Sequence, residues 1–195
     1  MSDTAYDDCW NRFVAAKQRP PLPEEKPSLH QLTAVLELLR THCCYVDLAL
    51  LGPFHIRTMK AWKWIAAVLV NGRVADTEIK GPPDFDTWLA CWTVFQTCMI
   101  MAGACIAHYL ESYGSMVQRL NKTYGPRCWG LLYQTENRYR HERFPDLVRF
   151  ESVKAKRALK NGTWDADTHY DVTKPFEHLF RMCAGGWDLS QNRSA

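Results

Sequence analysis

The stretch TWLACWTVFQTCMIMAGACIA, residues 87–107, contains no charged side chain and decides how the whole chain is to be read. Uncharged runs of about 18 residues or more are long enough to span a bilayer. Three polar groups, Thr93, Gln96 and Thr97, lie in the middle of the run, Gly103 follows them, and Trp88 and Trp92 occupy places where spanning helices favour Leu, Ile and Val. Withdrawing Gln96 into lipid carries the cost of an unpaired amide. Asp84, Asp86 and Glu111 flank the run, and no Lys or Arg lies close to either end to set an orientation across a membrane. The expectation is therefore a core helix, apolar nearly all round because other elements surround it.

Around that helix the chain has the means to build a core. Its 195 residues are enough for one domain with appendages, and 47% hydrophobic against 23% charged residues is a globular composition. A net charge of +3 neither requires nor excludes a polyanionic partner. The acidic start, with Asp3, Asp7 and Asp8, has no basic or apolar leader character, so an intracellular, reducing location is expected and the eight cysteines are read as thiols. The Asn121, Asn161 and Asn192 sequons are then without consequence.

Residues 3–17 suit a short amphipathic helix, followed by the Pro-rich linker 19–27. Ser28 and Gln31 have capping-box spacing ahead of Leu29, Leu32, Val35, Leu36 and Leu39, which predicts a helix over 29–42, with a continuation to Leu50 left open and Gly52-Pro53 as the stop. A short helix is expected over 54–63. Asn71-Gly72 between β-prone segments predicts a hairpin over 64–79, with Ile65, Val68, Val70, Val74 and Ile79 supplying its apolar surface. Asp84 is placed to cap the uncharged helix. Further helices are expected over 107–124, 126–144 and 175–182, with a polar loop over 161–170.

The expected architecture is mainly α with a β component (α+β). It is a helical bundle around a buried central helix, with one two-stranded β-hairpin and a core of Leu36, Leu39, Trp88, Trp92, Phe95, Met99, Trp129 and Leu132. Residues 1–27 form an N-terminal helix and linker, 28–148 the core domain, and 149–195 a basic C-terminal extension.

The strongest electrostatic feature is the concentration of Arg138, Arg140, Arg143, Arg149, Lys154, Lys156, Arg157 and Lys160 against Glu142, Asp146 and Glu151. Such arrays attract RNA or DNA through counterion release, and Tyr139 and Phe150 are placed to stack on bases. The plainer alternative is a solvated helix face laced with ion pairs. Cys91, Cys98 and Cys105 fall at heptad spacing on the central helix and read as small core filler, since no His or carboxylate accompanies them. His42-Cys43-Cys44 offers a base beside a thiol only in sequence. Asp165, Asp167, His169 and Asp171 alternate, but Tyr170 and Phe176 stand where a calcium loop needs Gly and Glu, so a surface loop is expected. No phosphate-binding glycine loop, H-E-x-x-H or G-x-S-x-G occurs, so no cofactor, metal or catalytic residue is assigned.

Gly52-Pro53-Phe54, the Asn-Gly hairpin, Lys80-Gly81-Pro82-Pro83, Trp88, Tyr113-Gly114, Tyr124-Gly125, Trp129, Tyr133-Gln134, Arg138 and Pro175-Phe176-Glu177 come in an order that resembles a segment recurring in large mobile-element-like open reading frames of single-celled eukaryotes. The resemblance covers residues 50–187. In that family the segment sits upstream of a Cys/Cys/Cys/His finger, which this sequence lacks, and the resemblance implies no activity and no functional residues. The expectation for function is a non-catalytic interaction module with a protein partner and weak nucleic-acid binding. Its rivals are a membrane protein with one span over 87–107 and a thiol-dependent enzyme using Cys43 or Cys44.

Overall fold

The computed structural model describes residues 1–41, 45–53, 62–165, 169, 177 and 179–181. It is mainly helical with one antiparallel hairpin. Helix α1 (Asp3–Lys17) is capped by Ser2, and α2 (Leu29–Arg40) begins at the expected capping box, with reciprocal bonds between Ser28 and Gln31. The same Gln31 donates its side-chain amide to the carbonyls of Leu50 and Gly52 at 3.1 and 2.9 Å. Those two bonds join the start of α2 to a 3-10 turn, Leu48–Leu51, and the residue after it. The helix stops at Arg40 and does not extend to Leu50, where Asp47 accepts from the Ala49 amide and starts the separate turn. Residues 42–44 and 54–61, including the expected helix at 54–63 and the thiols of Cys43 and Cys44, lie outside the described residues except for Trp62 and Lys63.

Strands β1 (Lys63–Val70) and β2 (Arg73–Lys80) pair through Asn71 (φ 49°) and Gly72 (φ 76°), the left-handed pair that a tight hairpin turn demands. Its facing differs from the expectation. Val68 is buried with Trp64 and Ala66 half-buried beside it, whereas Ile65 is 68% exposed and Val74 67%. Because side chains alternate, choosing Val68 for the inside sends Ile65 and Leu69 outward, and Leu69 pairs with Val74 on the same outer face.

The central helix α3 (Phe85–Met101) starts where Asp84 accepts from the Thr87 amide at 2.7 Å. It buries ten of its residues, among them Trp88, Trp92 and Met99. Thr93 and Thr97 donate their hydroxyls to the carbonyls of Leu89 and Thr93, which removes the polar cost of their place mid-run. The uncharged run is not one helix to its end. Gly103 (φ 67°) closes α3 with paired bonds from the Gly103 amide to Ile100 and the Ala104 amide to Met99, so Cys105 lies in the link to α4 (Ala107–Tyr124) and not on the stripe of Cys91 and Cys98. Among the described residues no helix is long and apolar enough to cross a membrane.

A short 3-10 turn, Pro126–Cys128, leads into α5 (Trp129–Arg138), then a π-helical turn, Tyr139–Arg143, and α6 (Phe144–Lys160). The helix expected over 126–144 therefore does not stop before Pro145 but continues through it. Pro145 has no N–H to give the carbonyl four residues back, and the widened turn before it, closed by the Phe144 amide on the Tyr139 carbonyl, accommodates its ring. Helix α6 runs unbroken across the expected boundary at 148/149.

The core gathers on α3. Trp92 stacks on Trp88 with ring centroids 5.3 Å apart and on Tyr113 at 4.9 Å, and Phe180 meets Trp92, Phe95, Tyr113 and Phe144 edge-on. Phe180 belongs to the expected last helix, of which residues 177 and 179–181 are described and helical. The tail thus returns to the core. The N-terminal arm does so too: Phe13 and Cys9 are buried, Arg12 donates to the Met101 carbonyl at the C-terminal end of α3, and Lys17 pairs with Glu111. Of the expected core, Leu36 and Leu39 are only half-buried. Leu32 and Val35, on the adjacent stripe of α2, take the inner places.

Candidate nucleic-acid interface

The eight expected contact residues divide into two unequal groups. Arg140 is a correction: it is 2% exposed and faces the interior. Its Nε and Nη2 donate to the two carboxylate oxygens of Glu136 at 2.5 and 3.0 Å, and Nη1 donates to the Val46 carbonyl at 2.6 Å. Tyr113 Oη donates to Glu136 at 3.3 Å, and the Tyr45 ring lies 5.4 Å from the guanidinium. Burial pulls the Arg140 pKa down, but the charge and hydrogen bonds of Glu136 outweigh it, so the net direction is upward and the group stays cationic. A guanidinium with these partners has nothing left for a phosphate.

Arg138 is exposed and paired with Glu142 one turn on, at 3.1 Å. Arg143 lies exposed on the π turn. The other five cations stand on α6, where Phe144, Glu151, Ala155 and Ala158 form the buried face. Arg149, Lys156 and Lys160 recur at seven and four residues and so line one exposed stripe, with Val153 within it and Arg157 on its flank. Among the described residues none of Arg149, Lys156, Arg157 and Lys160 makes an ion pair. Lys154 differs from them. Its ammonium is 3.0 Å from Glu151 and 4.3 Å from the centroid of the Phe150 ring, which it holds in place. Asp146 is the one exposed acid on this helix.

Helix α6 ends on Gly162 (φ 69°), with the Gly162 amide on the Leu159 carbonyl and the Thr163 amide on Ala158, and Trp164 follows as an exposed aromatic. Sequence reasoning misses Trp164, although its place two residues beyond the cap glycine is a usable signal.

Among the described residues the buried thiols and the acids offer no rival centre. Cys9, Cys91, Cys98 and Cys105 are buried and free, and burial pushes the Cys91 thiol up to about 12 and those of Cys98 and Cys105 further in the same direction. Among the described residues no group of three or more His, Cys, Asp or Glu is arranged to hold a metal. Asp167 and Asp171 of the alternating segment lie outside them, while His169 and Asp165 close a local turn. Compared with protein-family models, curated proteins and solved structures, the chain matches none.

Proposed function

We propose that the chain is a non-catalytic interaction module of a mobile-element-derived protein that binds nucleic acid through the outer face of α6. The observation that carries the reading is the stripe of Arg149, Lys156 and Lys160 with Arg157 beside it, cationic and without intramolecular ion pairs among the described residues. An unneutralised array of this kind binds phosphates by releasing their counterions, which gives modest, strongly salt-dependent affinity. The mobile-element kinship rests on the order of sequence landmarks, and the protein-contact part on Ile65, Leu69 and Val74 exposed along the outer face of the hairpin.

Replacing Lys154, Lys156, Arg157 and Lys160 together by Glu is expected to abolish retention of RNA on the purified chain. Replacing Lys156 and Lys160 by Gln should lower the slope of log affinity against log salt by about 0.7 for each single-strand phosphate that the variant leaves unneutralised. Retention that is unchanged by the four reversals, measured by filter binding at low salt, would remove α6 from the interface. All four positions are exposed, so the fold should keep its thermal midpoint within a few degrees.

A further inference from the structure

The cationic stripe answers to any polyanion, but the side chains set among its charges narrow the choice. Phe150 is 58% exposed, unusual for a ring of that size, and the Lys154 ammonium lies 4.3 Å from its centroid. Trp164 is exposed just past the last lysine of the stripe. An anionic lipid surface would need the apolar groups of α6 to merge into one band. They do not: Phe150 and Leu159, nine residues apart at about 100° per residue, lie on opposite sides of the helix axis, and Arg149, Lys156 and Lys160 come between them. A duplex would satisfy the cations but keeps its base faces inside the stack. An unpaired strand offers phosphates and open base faces together, and base stacking on an aromatic ring is indifferent to sequence.

We infer that the outer face of α6 takes single-stranded nucleic acid, its phosphates along Arg149, Lys156, Arg157 and Lys160 and a base stacked on Phe150. This rests on the reading of α6 as a nucleic-acid face and adds the strandedness of the ligand and the residue that selects it. Phe150 acts by contact with the base, and Lys154 is its positioning residue.

The test is an anisotropy titration of the full chain with a labelled oligouridine of about a dozen nucleotides and with an RNA duplex of equal length, beside Phe150→Ala and Phe150→Trp. The single strand should bind about tenfold more tightly than the duplex. Phe150→Ala should remove about that factor for the single strand, leaving duplex affinity and salt slope unchanged, and Phe150→Trp should restore it. Equal affinity for both RNAs, or a single-strand preference that survives Phe150→Ala, would overturn the inference and leave the basic-face reading standing. Failure to bind either RNA would overturn both, as would binding only to phosphatidylserine vesicles.

Discussion

Replacing Glu136 by Ala is expected to destabilise the fold by about 3–5 kcal/mol, the cost of leaving one member of a buried ion pair without the other. Arg140 would then sit 2% exposed with one remaining bond of note, to the Val46 carbonyl. It cannot escape the penalty by losing its proton, because an arginine remains charged at any pH where the fold exists. Urea denaturation should show a lower midpoint at unchanged slope. The double variant Glu136→Leu with Arg140→Met removes both charges and should regain most of the loss, since apolar groups of similar volume replace such pairs at little cost. A loss below about 1 kcal/mol for Glu136→Ala would mean that water reaches the pair. The pair has a structural role: it ties α5 to the segment at Tyr45 and Val46, and Tyr45 is further held by Asn137 at 3.0 Å.

Trp92→Ala should cost a similar amount, about 3–5 kcal/mol, by opening a cavity among Trp88, Phe95, Tyr113 and Phe180. Trp92→Phe is expected to cost clearly less. It keeps a ring in the stack and removes an indole N–H that is buried without a hydrogen-bond partner among the described residues. That N–H lies against Gly114, where an added Cβ would stand 2.9 Å from Nε1. Gly114→Ala should therefore be harmful beside Trp92 and nearly neutral in the Trp92→Phe background, where the ring is smaller, a coupling that a double-mutant cycle reads directly. Additive losses would show that α3 and α4 do not meet through this contact.

The parts of the fold legible in the sequence are those set by local chemistry. Ser28 with Gln31, Asp84 and Asn71-Gly72 each satisfy or redirect the backbone within a few residues, and each stands where its pattern places it. Sequence and structure part where a distant partner decides. Both strand faces are apolar enough to go inward, and the choice of Trp64, Ala66 and Val68 follows from helix α5, whose Gly130 leaves room against Ala66. Reading the central run by its lack of charge hides the break at Gly103, a stop that needs no charge. Grouping Arg140 with the other cations fails because clustering ignores direction. The spacing of Glu136 and Arg140, four residues apart among Leu132, Tyr133 and Phe144, is the sign that this arginine points another way. On α6 the same clustering is informative, since a regular helix turns spacing into a surface.

The π turn of residues 139–143 also sets the phase of everything beyond it. An extra residue is accommodated there without a break in the rod, and the angular position of α6 depends on it. Were the same residues wound there as a regular α-helix, each later side chain would occupy the station of its successor, a rotation of about 100°. Lys154 would arrive at the sheltered station of Ala155 and Arg157 at that of Ala158, so two of the cations would be turned toward the interior. A single widened loop of backbone thus works as an indexing step that decides which side of the last rod the solvent sees.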